Sequence, residues 1–377
     1  MKYNIAVFPG DGVGPELINE GIKVIDKAAE LEKFEIAFIK YPHGTDHYLE
    51  TKEILSDKAL KEIKSSCNAI YCGTFDNTKI DVNIIDRNIP SIIRSYFDDY
   101  VSLRPVKLLP SVECPLIGKT YRDINFVVIR ENSEDFYIGA HGRTKNGKNK
   151  QQIGISKASC KIKINLDIES KGNEIAYQIG ILSKKGCDRV IRFAFEFAKK
   201  NNKNKITFVD KANMLQYYNF WRENIDKIAE EYEGIDYEFN FVDTVAMQLI
   251  RQPEKYQVIA SPNMFGDILG DLGTVLQGGL SFAAQGNINH GGISMFEPIH
   301  GSASQLKGKG IVNPIATIWA GALMLESLNQ QNAAGLIIKS FESVLKEGRT
   351  RTHDLDGNNS TSEMGDAIID KLIEIHE

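Results

Sequence analysis

The sequence predicts an α/β protein with a largely parallel sheet. Three observations lead there. Short apolar runs of strand length alternate with longer segments of helical spacing. Glycine and proline punctuate the junctions, as in the Pro9-Gly10-Asp11-Gly12 break after the first run. The 377 residues, 42% of them hydrophobic, suffice for two domains or one large α/β unit with a sizeable core.

Taken in order, residues 3–8 read as a strand. Pro15 then opens a helix in which Leu17, Ile18, Ile22 and Ile25 recur at helical spacing. Residues 69–72 form a buried strand that stops at Gly73, and residues 124–129 form another. A long helical pattern over 186–200 leads into a strand at 205–209, and further strands are expected at 237–242 and 256–260. Residues 144–173 break this rhythm. They are rich in Lys, Gln, Asn and Gly and contain an alternating run at 160–166. That pattern predicts an exposed hairpin whose edge a partner subunit covers, or else a solvated insertion loop.

Composition excludes several classes. Against 45 basic residues stand 50 acidic ones, a net charge of −5, so a dedicated nucleic-acid binder is not expected. No apolar run approaches the roughly 18 residues of a membrane span. The opening MKYNIAVFPGDG lacks the apolar core of a signal peptide. The cysteines Cys67, Cys72, Cys114, Cys160 and Cys187 are odd in number and form no C-x-x-C pair. A cytoplasmic protein with reduced thiols is expected.

Several residues can carry chemistry. Gly10-Asp11-Gly12-Val13-Gly14 has the spacing G-x-G-x-G followed at once by Pro15, so it fails the dinucleotide fingerprint and reads as a tight strand-to-helix turn. Arg94, Arg104 and Arg130 lie near element ends, where guanidinium forks suit carboxylates. One such arginine reads as a structural ion-pair partner, whereas three favour a small acid as ligand. Asp267 and Asp271 are four apart and share a helix face, either as a solvated acidic face or as hard ligands for Mg²⁺ or Mn²⁺. Asp243 offers a third carboxylate. Lys211 follows a strand and can serve as a base if burial lowers its pKa; otherwise it is a surface lysine. Tyr137 reads as a proton donor or a core tyrosine. The small residues of His300-Gly301-Ser302-Ala303 would let a flat ligand or phosphate approach the backbone. His43 and His47 stand four apart, but no glutamate follows His43 as in H-E-x-x-H, so no metal role is assigned to them.

Together these segments resemble the β-decarboxylating dehydrogenases, the family of isopropylmalate, isocitrate, homoisocitrate and tartrate dehydrogenases. The similarity runs almost end to end. It rests on FPGDGVGPEL (8–17), Arg94 with SLRPVKLLP (102–110), VIRENSEDFYIG (128–139), VDKANML (209–215), FVDTVAMQLIR (241–251), NMFGDILGDL (263–272) and FEPIHGSASQLKGKGIVNPIATI (296–318). The resemblance implies a two-domain isopropylmalate dehydrogenase-like α/β fold with an inter-domain cleft. A discontinuous cofactor-binding domain (1–99 with 257–377) is expected, with a substrate and dimerisation domain (100–256) that carries an arm at about 140–173. It further implies a homodimer with shared active sites. Arg94, Arg104 and Arg130 would hold the carboxylates of a 2-hydroxy acid. Asp267, Asp271 and a partner-supplied Asp243 would hold Mg²⁺ or Mn²⁺. Lys211, also from the partner, would be the base and Tyr137 the proton donor. NAD would lie on His300, Gly301, Ser302 and Ala303, with Asn313 near the adenine and Asp354 close by.

The chain departs from its relatives at two places. Where NAD-using members carry Asp-Ile and NADP-using ones Lys-Tyr, it has Gln305-Leu306, and Gly357 stands where NADP relatives place an arginine. NAD is therefore expected, with NADP as the alternative. Seven residues before Arg94, where isopropylmalate enzymes have glutamate, stands Arg87. Ile89 and Ile92 could contact an apolar substituent, which favours 3-isopropylmalate. Arg87 could instead bind the extra carboxylate of isocitrate or homoisocitrate. Tartrate oxidation and a catalytically silent regulatory subunit complete the alternatives.

Overall fold

The computed structural model describes residues 2–76, 88–145 and 147–377. In chain order the first elements are β1 (Lys2–Gly10), α1 (Gly14–Leu31), β2 (Glu35–Lys40), α2 (Thr45–Thr51), α3 (Asp57–Ser66), β3 (Ala69–Thr74), α4 (Ile89–Phe97) and β4 (Val101–Lys107). Then come β5 (Asn125–Glu131), β6 (His141–Thr144), β7 (Gly147–Ser156), β8 (Lys161–Ser170), β9 (Ile175–Gln178), α5 (Lys184–Lys200), β10 (Lys205–Asp210), α6 (Asn219–Ala229), β11 (Asp236–Phe241) and α7 (Val242–Arg251). The chain finishes with β12 (Val258–Ser261), α8 (Asn263–Leu276), β13 (Ala284–Ile288), β14 (Met295–Pro298), α9 (Ile315–Ser327), α10 (Gln331–Glu347) and α11 (Thr361–His376). The fold is α/β, and the strands expected from apolar runs are present.

The chain divides into two compact units. The first comprises Met1–Asp99, Leu103–Asn125 and Gly273–Glu377; the second comprises Tyr100–Ser102 and Phe126–Leu272. This division departs from the sequence expectation at two segments. Residues 103–125 fall in the first unit, and residues 257–272, with β12 and most of α8, fall in the second. The reason is strand pairing: β12 lies parallel between β10 and β5, with Ala260 opposite both Phe208 and Ile129.

In the first unit the strands run in the order β13-β14-β3-β1-β2. β1 is parallel to β2 and β3, β14 is parallel to β3, and β13 turns back antiparallel to β14. Strand β3 is buried along its whole length, as expected for a strand covered on both faces. Helix α9 is buried from Ile315 to Leu325 and so shows no polar stripe. In the second unit β11-β10-β12-β5 are all parallel. Helix α5 starts at Ser183, whose side chain accepts from Gly186 N, and buries Cys187, Val190, Ile191, Ala194 and Phe195.

The polar stretch folds as strands. β7 and β8, ten residues each, pair antiparallel in a hairpin, Gly147 opposite Ser170 and Ser156 opposite Lys161. The short strands β6 and β9 pair beside it. The alternation puts Ile153, Ile155, Ile162 and Ile164 on one face, packed with Ile138, Ala140, Ile179 and Ile181. Lys148, Lys150, Asp167 and Glu169 lie on the other face. No helix among the described residues is long and apolar enough to cross a membrane. The cysteines are free thiols.

Candidate active site

Arg130 sits at the end of β5, where a buried strand delivers its side chain to the start of α8. Its Nε and Nη2 donate to Asn263 Oδ1 at 2.9 and 2.7 Å, and its Nη1 donates to Asp267 Oδ1. The close approach depends on Gly266: a Cβ there would come within 2.7 Å of Arg130 Cβ. The Tyr137 hydroxyl reaches the other oxygen of Asp267 at 3.3 Å, and the guanidinium lies 5.6 Å from the Tyr137 ring centre. Tyr137 is half exposed, so it is no core tyrosine. Partial burial and then the Asp267 carboxylate push its pKa up, which keeps the phenol protonated as a donor.

Three buried carboxylates that the sequence did not single out shape this region. Glu131 accepts from Ser133 N at 2.8 Å, Ser133 Oγ at 2.6 Å and Glu134 N at 2.8 Å. Burial pushes its pKa up to about 7 against these hydrogen bonds. Glu134 accepts from Ser183 N and Oγ, at 2.7 and 2.6 Å, and so ties the loop to the start of α5. Asp135 accepts from Tyr218, Tyr217 and Met264 N, which fixes the first turn of α8 under Arg130. Nothing in the run Glu131-Asn132-Ser133-Glu134-Asp135 marks which acids turn inward.

Lys211 and Asp243 meet at a second place in the same unit. Lys211 follows β10, and its Nζ lies 2.7 Å from Asp243 Oδ1 in the first turn of α7. The Lys211 hydrogen bond holds the Asp243 carboxyl below its usual range. Asp210, fully buried, fixes the display of Lys211: it caps Ala212 N at 2.8 Å and takes the Nε and Nη2 of Arg222 at 2.6 and 2.9 Å.

In the first unit Arg104 is buried on β4, and its Nε donates to Gln285 Oε1 at 2.9 Å. Gln285 and Asn287, two apart on β13, both donate to Glu297 on β14, at 2.6 and 2.9 Å. Helix α4 begins at Asn88, whose side chain accepts from Ser91 N. It buries Ile89, Ile93 and Phe97 among Phe8, Ile70 and Met295, with Ile92 packed partly against the same cluster. Ile89 is therefore core, and the expectation that it contacts an apolar substituent is corrected. Ser91 and Arg94 lie on another face of α4 and are joined at 3.1 Å. Arg87 lies outside the described residues.

The turn at Gly10–Gly14 is structural, as its spacing indicates. Gly10 and Gly12 have φ of +72° and +60°. A Cβ on Gly12 would come within 2.0 Å of Ser302 O, and Val13 N donates to that same oxygen at 2.9 Å. The turn thus shapes the His300-Gly301-Ser302-Ala303 loop from below. Ser302 and Ser304 hydroxyls are 3.1 Å apart, and Ser304 donates to Asp76 at 2.6 Å. Burial lowers the pKa of His300, so its ring is neutral near pH 7. Its Nδ1 faces Gly301 O at 3.1 Å, and its buried Nε2 has no hydrogen-bond partner among the described residues. Asn313 Nδ2 donates to Asp354 Oδ2 at 3.0 Å. Asn313 is buried and also caps Ile315 N, so its amide is largely used within the protein. Gln305 is exposed.

Asp267 and Asp271 share a face of α8, and their all-oxygen character fits a hard divalent cation. Cationic groups already stand on expected ligands, Arg130 on Asp267 and Lys211 on Asp243. Within one chain Asp243, Asp267 and Asp271 do not gather around a single point; among the described residues the only such group of three is His43, His47 and Glu53.

The model of the isocitrate/isopropylmalate dehydrogenase family matches residues 4–368. The chain belongs to that family. It is 35% identical over 375 residues to the D-malate dehydrogenase [decarboxylating] of Escherichia coli (strain K12), covering 97% of each chain. It is 34% identical to a 3-isopropylmalate dehydrogenase of Thermobifida fusca (strain YX), covering 98% of each. Among solved structures, the isocitrate dehydrogenase of Methylococcus capsulatus superposes with a TM-score of 0.81 at 30% identity, over 98% of this chain and 99% of that one. As a member of the isocitrate/isopropylmalate dehydrogenase family, the protein is a β-decarboxylating hydroxy-acid dehydrogenase, an oxidoreductase.

Proposed function

We propose that the protein oxidises and decarboxylates a small 2-hydroxy dicarboxylate of the malate series with NAD, as a homodimer whose sites draw on both chains. The observation that carries this is the Arg130–Asp267–Tyr137 cluster, a buried cation, a ligand carboxylate and a protonated phenol around one point. Arg94, Arg104 and Arg130 take the substrate carboxylates, and the fixed fork of Arg130 orients one of them. Asp267 and Asp271, with Asp243 of the partner subunit, hold Mg²⁺ or Mn²⁺. When bound, the cation lowers the hydroxyl pKa and polarises the carbonyl that replaces it. Lys211 of the partner subunit takes the hydroxyl proton, with Asp243 beside it to hold its position. His300, Gly301, Ser302 and Ala303 would hold NAD, which would supply the hydride acceptor. Tyr137 delivers a proton to the carbon that loses CO₂, from a hydroxyl held 3.3 Å from Asp267 Oδ2. The hairpin β7–β8 supports the dimer, because it is a two-stranded sheet whose open edges a partner chain can cover.

The choice of an unbranched acid rests on α4. Ile89 is buried in the core and Ile92 leans on it, whereas Ser91 and Arg94 are polar. That face suits a carboxylate or hydroxyl better than an isopropyl group. The choice of NAD rests on Gly357 and Gln305. A Cβ at 357 would come within 2.0 Å of Arg351 O, so this backbone admits no arginine there to meet a 2′-phosphate.

The test is initial-rate NADH and NADPH formation with Mg²⁺ or Mn²⁺ across malate, tartrate, isopropylmalate, isocitrate and homoisocitrate. Highest kcat/KM for malate or tartrate with NAD is expected. A preference for isopropylmalate would overturn the reading of α4, and one for a tricarboxylate would assign Arg87 to substrate. Lys211→Met should abolish turnover with the dimer intact; unchanged turnover removes Lys211 from the mechanism. Gln305→Asp should raise the NAD/NADP preference; an unchanged ratio would locate selectivity elsewhere.

A further inference from the structure

We propose that His43, His47 and Glu53 form a second cation site, distinct from the aspartate set and suited to a borderline metal such as Zn²⁺. All three lie in the first unit, around α2. Asp11 anchors the start of that helix, its carboxylate accepting from Thr45 N at 2.7 Å and Thr45 Oγ1 at 2.9 Å. His43 stands just before the helix and His47 one turn into it, with ring centres 4.6 Å apart. At the other end Lys52 takes a left-handed conformation, φ 61°, and the chain reverses to bring Glu53 back. One donor atom from each of the three residues lies within 4.8 Å of the others.

The cluster is poorly satisfied as it stands. His43 is 7% exposed and packs beside Phe8 and Tyr41. Its Nδ1, and the Nε2 of His47, are buried without a hydrogen-bond partner among the described residues. The nearest approach of His43 to Glu53, 4.0 Å from Nε2 to Oε1, is too long for a hydrogen bond. Two imidazoles and a carboxylate are a donor set that a tetrahedral Zn²⁺ takes, with solvent in the fourth position. Zinc–nitrogen bonds of about 2.0–2.1 Å put neighbouring donors roughly 3.3 Å apart. From 4.8 Å, closure needs a contraction of up to about 1.5 Å, which rotation of the exposed Glu53 and of the partly buried His47 would supply. The nitrogen ligands separate this site from the all-oxygen aspartates, which favour Mg²⁺ or Mn²⁺.

Cobalt(II) tests this, because tetrahedral nitrogen-containing coordination gives intense visible bands that an octahedral oxygen site does not. The full-length protein, stripped with a chelator, is titrated with Co²⁺ alone. One equivalent per chain should develop the bands, and one equivalent of Zn²⁺ should displace them. His47→Gln should abolish them, and Glu53→Gln should weaken Co²⁺ binding tenfold or more. Asp267→Asn should leave them unchanged. Absence of the bands in the native protein, their persistence in His47→Gln, or their loss in Asp267→Asn would each overturn the proposal. Circular dichroism checks that His47→Gln folds; should it not, unchanged Co²⁺ affinity in Glu53→Gln, a surface substitution, overturns the site. None of these readouts depends on dehydrogenase activity.

Discussion

In the first unit Arg104 donates through Nε to the side-chain oxygen of Gln285; in the second Arg130 donates through Nε to that of Asn263, each at 2.9 Å. Both arginines are buried, and both are held by a neutral amide that fixes the guanidinium plane. Beyond the amide the two regions diverge. Arg130 continues directly to the Asp267 carboxylate, whereas Gln285 passes the connection on to Glu297 through its own amide N–H. Orientation and neutralisation are therefore separable. An amide sets the direction of the fork in both regions, and at Arg130 the next group in line also belongs to the proposed cation set.

The largest expected effect breaks the direct pair. Arg130→Met removes the guanidinium paired with Asp267 and should cost about 3–5 kcal/mol of stability in urea denaturation, with turnover lost. A cost below about 1 kcal/mol would mean that the pair is weakly coupled to the fold. Next come the amides. Gln285→Ala removes an acceptor and a donor from a buried network and should destabilise by about 1–3 kcal/mol. Asn263→Ala should raise the KM for the hydroxy acid more than it loosens the fold, because Asp267 still holds the guanidinium. Equal effects in both assays would erase the distinction between the two regions.

The smallest effect concerns pH. Glu131 adjoins Arg130, and burial raises its pKa from 4.5 to about 7. A raised carboxyl favours the fold most when protonated, so its contribution is full below pH 4.5 and is lost as pH rises through about 7. Glu131→Gln should remove this slope, worth on the order of 1–3 kcal/mol between those limits. Denaturation at pH 5 and pH 8 measures it; parallel losses in both proteins would place the proton elsewhere.

Much of the fold was legible. Apolar runs marked β1, β3, β5, β10 and β12, because parallel strands buried on both faces need nearly continuous hydrophobic sequence. The alternation at 160–166 marked the hairpin, because one of its faces is wet. The boundary between the units was not legible: β12 and α8 join the second unit through pairing with β10 and β5, and no change of composition announces it. In the site, the charged residues could be read but their holders could not. Asn263 and Gln285 are ordinary amides 133 and 181 residues from the arginines they orient. Glu53 is hidden in the sequence for a related reason. It joins His43 through a left-handed turn at Lys52, and no helical period predicts that return.

The discontinuous first unit has a consequence for how the protein is made. Its early strands β1, β2 and β3 emerge from the ribosome first, but β13, β14 and helices α9 to α11 are made only after Phe126–Leu272 has been synthesised. At about 5–20 residues per second, those roughly 150 residues take about 7–30 s. During that interval β3, buried on every residue in the finished protein, lacks its neighbour β14, and α1 lacks α9 and α11. The nascent chain must therefore carry an open, sticky strand edge while its own middle folds. Slowed translation or a scarcity of chaperones should strike this half of the molecule first.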